Sequence, residues 1–295
     1  MSFPGKKTYP GTGTFPASGA ATELVVRTDW APVPRIEVNF TQLDSAVKTA
    51  TIYRVSDGRT MRVRGGVKVS ALGAVAVIDY EAPNGVPSSY RAEMFSDVDA
   101  TVSLGFTQSP IVTLEFEGTC IHQPLDPTLA VRVDALAGTA VGLVRKFNGD
   151  AVLPEGARVP TWIGGPRQGL TGVPFVFLTT SFVDADKLQS VLGTYEQSQV
   201  GVMCIRTPPP MRIPRTFFAG NFEMSEDAIN VHAGGEDIQF SFTADEVSPP
   251  AAGLVRPAVR RADLDAAFPT RAARDAAYLT RFYRDTDYSL AGSAG

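Results

Sequence analysis

Cysteine and histidine are scarce in this chain, at two residues each among 295. Two thiols cannot build the framework of bridges that staples small secreted domains, so a reducing cytoplasm is the expected site of synthesis. A structural zinc site takes about four nitrogen or sulfur ligands, and Cys120, His122, Cys204 and His232 show neither C-x-x-C nor H-x-x-x-H spacing. Only long-range convergence could bring them together. Neither cysteine lies in a nucleophile turn of the G-x-S-x-G type, so a Cys-His nucleophile is not expected. Long apolar runs are missing too: no window approaches the roughly 18 residues that cross a bilayer, and no membrane insertion is expected. The lysines in "MSFPGKKTYPGTGTFPASGA" have no apolar stretch behind them, so no secretory signal is expected. Basic excess is absent as well. At a formal net charge of −4 the chain lacks the basic face that nucleic-acid recognition needs.

What is present is ordinary globular material, 44% hydrophobic and 20% charged, in a length that suggests two domains plus tails. Residues 1–21 are rich in Gly, Pro, Ser and Thr and read as an N-terminal arm. Residues 22–118 carry short strand signals at short intervals. In "RIEVNF", Ile36, Val38 and Phe40 alternate with polar neighbours, which gives one buried and one wet face. Asp57-Gly58 sits between two such runs, a hairpin signal because a primed turn needs positive φ. "AVAVIDY", "SSYRAEMF", "ATVSLGF" and "IVTLEF" complete roughly seven strands, the count of an antiparallel β-sandwich. Together with Trp30 on an early strand, "YRVSDGRTMRVRGG" and "DYEAPNGVPSSYRAEMF" are similar to fibronectin type III-like modules. In those, an early Trp and a Tyr on the penultimate strand fill the core.

Residues 119–250 follow a different grammar. The runs "LAVRVDAL", "AVGLVRKF" and "GVPFVFLTTSF" precede a helical pattern in "DADKLQSVLGTYEQS". Asp184 is the expected N-cap, Asp186 lies in the first turn, and Leu188, Val191, Leu192 and Tyr195 form one apolar stripe. Strands resume at "VGVMCIRT", "TFFAGNF" and "EDIQFSFTADEV". One helix among about seven strands predicts a β-barrel or sandwich with one flanking helix. Cys204, alternating with Val202 and Arg206, reads as a buried structural thiol. Residues 251–295 form a C-terminal tail; its part from Leu254 onward holds seven Arg and five acids. "RRADLDAAF" and "TRAARDAAYLTRFYRD" suggest short helices separated by Pro269. Phe268, Tyr278, Phe282 and Tyr283 are candidate assembly contacts, with a wholly disordered tail as the alternative.

The search for chemistry yields little. Asp97 and Asp99 in "SDVDA" read as turn formers, since calcium would need several more oxygens. Glu223, Glu226 and Asp227 read as a solvated loop between strands. "IGGPRQG" lacks the lysine and the helix of a phosphate cradle. No catalytic residue, metal or cofactor is assigned. The segment "CIHQPLDPTLAVRV" then reads as a junction: His122, Pro124, Leu125, Asp126 and Pro127 form an extended strap, braced by prolines, between the two domains.

That segment, as "IHQPLDPTLAVRV", closely resembles the I-x-x-P-L-D-P junction of minor tail proteins from long-tailed actinobacteriophages. "GGPRQGLTGVPFVFLTTS", "DADKLQSVLGTYEQSQVGVMCIRTPP", "RTFFAGNFEMSED" and "FSFTADEVSPPAAG" resemble further motifs of that family in the same order. The likeness covers roughly residues 22–253. The family's T-W-A-D-L/V tail elements survive here only as traces without Trp. The resemblance implies a non-enzymatic subunit of the tail tip, baseplate or distal tail of a virion, with a tail-tube-like second domain. Its implied partners are copies of itself in a ring, hexameric by analogy, and other tail proteins. A carbohydrate- or receptor-binding module that contacts host-surface glycan is the alternative reading.

Overall fold

A computed structural model describes residues 20–107, 110–193, 199–220, 222–254, 261–278 and 284. Most of the 1–21 arm, and Tyr195, Phe282 and Tyr283, lie outside the described residues. The fold is mainly β, as the alternation predicts.

The first body is a sandwich. Strands β1 (Ala21–Arg27), β2 (Arg35–Thr41) and β6 (Ala74–Asp79) form one sheet in the order β1-β2-β6. The other runs β4 (Arg59–Arg62), β3 (Thr49–Ser56), β7 (Ser88–Phe95), β8 (Ser103–Phe106). Short β5 (Val69–Ser70) pairs with β3, and β9 (Ile111–Val112) with β7. Alternation decides which side chains meet between the sheets: Ile36, Val38 and Phe40 from β2 join Ile52 from β3 and Tyr90 and Ala92 from β7 in one core. The β3–β4 turn is the one read from Asp57-Gly58, with φ of 49° and 69° at the two residues. The Tyr90 hydroxyl donates to Asp79 at 2.8 Å, and the same carboxylate accepts from Arg54 at 2.6 Å. Desolvation would pull the Arg54 guanidinium down, but Asp79 and Tyr90 outweigh it and hold its pKa above the usual range; burial pushes the Tyr90 hydroxyl up. Trp30 departs from expectation. It lies between β1 and β2, half-buried, outside the sandwich core.

The second body is a closed barrel. Strands β10 (Thr119–Gln123), β11 (Asp126–Ala135), β14 (Val173–Thr179), β15 (Met203–Arg206), β16 (Thr216–Gly220) and β18 (Ile238–Glu246) run in the order β14-β11-β10-β15-β16-β18. Pairing of β14 with β18, from Val173↔Ala244 to Thr179↔Ile238, closes the ring. Inward residues alternate around it, among them Ile121, Val131, Phe175, Ile205, Phe217 and Phe240. Phe175 stacks on Phe242 with ring centroids 5.2 Å apart. The helix α1 (Phe182–Leu192) packs on β10, β11 and β14 and adds Ala185, Leu188 and Val191 to that core.

Three expectations are corrected here, and one segment left without an element finds its place. The N-cap of α1 is Ser181, whose hydroxyl accepts from the Asp184 amide at 3.1 Å; Asp184 belongs to the first turn. The acidic segment that reads as a loop forms a fully exposed strand β17 (Ser225–Ala228), paired with β18 by the ladder and by a bond from the Ser225 hydroxyl to the Ser241 carbonyl at 3.0 Å. It has no apolar alternation because neither of its faces is covered. "IGGPRQG" lies inside a long strand, β13 (Thr161–Thr171), which pairs with β12 (Val144–Val152) as a separate two-stranded ribbon. Most consequentially, "CIHQPLDPTLAVRV" is not an extended strap. Gln123 pairs with Asp126, so Pro124 and Leu125 make a two-residue turn and the segment is the β10–β11 hairpin of the barrel.

In the C-terminal tail, α2 (Arg261–Ala267) and α3 (Arg271–Ala277) flank Pro269, as the pattern predicts. Phe268 and Tyr278 meet edge-on at 5.5 Å, so these two candidate contacts are each other's neighbours.

Candidate functional site

Because strands alternate, a residue on each side of an inward one must point outward. Ile121 enters the barrel core, so Cys120 and His122 leave it on the outer face of β10; Ile205 does the same to Cys204 and Arg206 on β15. The register places Cys120 opposite Arg206 and His122 opposite Cys204. All four are completely buried, because the sandwich covers this face. Three of the four scarce Cys and His residues therefore share one surface; His232 lies elsewhere, in an exposed 3-10 turn at Val231–Ala233.

Arg206 organises the junction. Its Nη1 donates to the carbonyls of Pro34, at 2.8 Å, and Ala82, at 3.1 Å, both in the sandwich. Its Nη2 donates to Cys120 Sγ at 3.2 Å, and the guanidinium lies 5.0 Å from the Phe116 ring centre. Phe116 in turn meets Trp30 edge-on at 6.1 Å, and Asn84 clasps both the amide and the carbonyl of Phe116. Beside this column, Arg64 pairs with Glu81 at 2.7 Å and donates to the carbonyls of Pro250, Ala251 and Leu254. Thr216 adds a bond to the Glu81 carbonyl at 2.9 Å. The two β bodies are thus joined by the Arg206 fork, by the bond from Thr216 to the Glu81 carbonyl, and by the bonds from Arg64 to the chain that leaves the barrel.

The electrostatics point away from reactivity. Burial pushes both thiols up, Cys120 despite the opposing charge of Arg206, so they remain protonated. Burial, reinforced by Arg206, lowers His122 to about 3, and the ring is neutral at physiological pH. Its Nδ1 lies 3.3 Å from the Gln123 carbonyl, while among the described residues Nε2 has no hydrogen-bond partner. Burial likewise raises Glu81, against the lowering effect of Arg64. Among the described residues, no group of three or more His, Cys, Asp or Glu is arranged to hold a metal. Asp126 bonds to the amide and hydroxyl of Thr128, closing its own turn, and Pro127 is buried beside it. Asp97 accepts from the amides of Thr101 and Val102, which hold its carboxyl below the usual range; it is a turn former, as read.

Sequence reasoning missed Arg206, although its place in "MCIRT" at an alternating position was a signal. It also missed the β12–β13 ribbon as a feature in its own right. That ribbon is anchored at its base by Leu170, whose amide donates to Glu246 at 3.0 Å, and by Arg145, which donates to the Arg212 carbonyl at 3.1 Å. Beyond the base nearly every residue is exposed, including Phe147, Trp162 and Ile163 at 58%, 54% and 62%. At its centre Gly149 faces Gly164, and the Trp162 indole lies over the pair so closely that a Cβ on Gly149 would come within 2.8 Å of it.

Comparison with protein-family models, curated proteins and solved structures returned no match.

Proposed function

We propose that this protein is a structural subunit of the tail tip or distal tail of a long-tailed phage. In this reading it acts by fitting against copies of itself and other tail proteins rather than by turning over a substrate. The single observation that carries the reading is the β12–β13 ribbon. A lone two-stranded hairpin is marginal in water, and one presenting Phe147, Trp162 and Ile163 to solvent is a surface that calls for a covering partner. The locked junction agrees: two bodies held by the bonds of Arg206, Thr216 and Arg64 form a stiff block suited to repetition. The ordered motifs that resemble actinobacteriophage minor tail proteins supply the virion setting. The thiols and His122, held protonated and neutral in a closed interface, fit a structural role better than a chemical one.

Antibody or gold labelling of the chain on intact virions is the test. Label at the distal end of the tail is expected; absence of the chain from purified virions would refute the role. A second reading, as a receptor-binding module, is favoured by one observation: Trp162 stands exposed on a projecting arm, where an indole can stack on a sugar. Binding of host-wall glycan by the monomer, lost in Trp162→Ala, would establish that reading instead.

A further inference from the structure

The exposed ribbon has a counterpart at the other end of the same barrel. The β12–β13 arm joins the barrel where β14 begins, at Val173. At the far end of β14, Thr179 leads into α1, and Ile238 opposite it follows the β17 segment. Seven residues of strand separate the two ends, roughly 20 Å. At this far end Phe182, Val183, Ile229 and Val231 are exposed at 51–68%. The Phe182 ring lies against the turn that carries Gly235, 4.0 Å from where its Cβ would be. Among the described residues, the arm and this patch are thus both apolar and uncovered.

Their charges are opposite. From Val144 to Thr171 the arm carries Arg145, Lys146, Arg158 and Arg167 against Asp150 and Glu155. From Glu226 to Asp237 the patch carries Glu226, Asp227, Glu236 and Asp237 with no Lys or Arg. Among the described residues, β17 also has one unpaired edge, since it ends the strand order beyond β18. An apolar arm with a basic excess at one end of the block complements an acid-rimmed apolar patch at the other.

We propose that the occupant of the patch is the arm of a second copy of this chain. Copies then follow one another head to tail, a heterologous contact that closes into a ring when the rotation divides evenly and otherwise extends. The inference rests on the tail-subunit reading and names the surface through which copies join. Complementary charge sets the register and the encounter rate, and the aromatic arm supplies the buried area.

A charge-swap experiment tests it. One variant reverses the arm (Lys146→Glu, Arg158→Glu) and another reverses the patch (Asp227→Lys, Glu236→Lys). Association is followed by sedimentation velocity, with thermal melts to show that each variant is folded. Wild type is expected to self-associate, more weakly as salt rises. Each variant alone is expected to associate about tenfold or more weakly. Mixing the two is expected to restore assembly, because the reversed arm now meets the reversed patch and the native arm meets the native patch. The proposal is overturned if wild type stays monomeric at the highest concentration reached, if the variants associate as wild type does, or if mixing restores nothing. Should wild type be monomeric while the arm variant loses binding to purified tail particles, the occupant is another tail protein, and the tail-subunit reading survives without this inference.

Discussion

Replacing Arg206 by Met keeps an apolar stem of similar length and removes the fork that joins the two bodies. The lost bonds run to the carbonyls of Pro34 and Ala82. Leaving two buried carbonyls without these donors costs about 1–3 kcal/mol each. Loss of the cation over Phe116 adds about 2 kcal/mol in a desolvated setting. Opposing these, the guanidinium is fully buried and among the described residues no carboxylate is paired with it, so its removal relieves a desolvation penalty of several kcal/mol. The balance is a destabilisation of about 2–4 kcal/mol, and it falls on the interface rather than on either core. The assay is urea unfolding in a Trp162→Phe background, where Trp30 beside Phe116 becomes the only tryptophan and reports on the junction. Wild type is expected to unfold with coincident fluorescence and circular dichroism transitions. In Arg206→Met the fluorescence transition is expected at lower urea, ahead of the loss of strand signal. Arg206→Lys should behave similarly, because the two carbonyls share one guanidinium nitrogen, and a point ammonium placed there can neither donate to Cys120 nor lie flat over Phe116. A Met variant within about 0.5 kcal/mol of wild type, with transitions still coincident, would refute the view that this fork holds the bodies together.

Other expectations follow from the same geometry. His122 has a folded pKa of about 3, below its unfolded value, so the unfolded chain binds the extra proton. Its contribution is complete above about pH 6.5 and is lost as pH falls toward 3, at a slope approaching about 1.4 kcal/mol per unit. Glu81, raised in the fold, acts in the opposite sense, so the informative measurement is the difference in stability between wild type and His122→Gln across that range. A flat difference would contradict the burial argument. Tyr90→Phe removes one donor from a buried carboxylate that Arg54 still holds, and should lower stability by about 1–3 kcal/mol in chemical denaturation without altering the barrel. Native protein should react with a thiol reagent no faster than it unfolds, because Cys120 and Cys204 are buried and protonated; rapid modification of either would show an open junction.

What the sequence by itself determined was local. Alternation of Ile36, Val38 and Phe40, positive φ at Asp57-Gly58, and the stripe through Leu188 and Val191 each depend on near neighbours, and each appears where the pattern puts it. Tertiary structure decided everything that depends on which backbone finds which partner. Polar "SEDA" became a strand only because β18 offered it an edge. The Pro124-Leu125 segment turned back instead of extending because β10 and β11 pair across it. Cys120, His122, Cys204 and Arg206, up to 86 residues apart, came to one face through a strand register that no local pattern encodes. The sandwich then sealed that face. A chain can announce the period of each strand, but closure of a barrel and burial of its outer wall are settled only when distant strands have met.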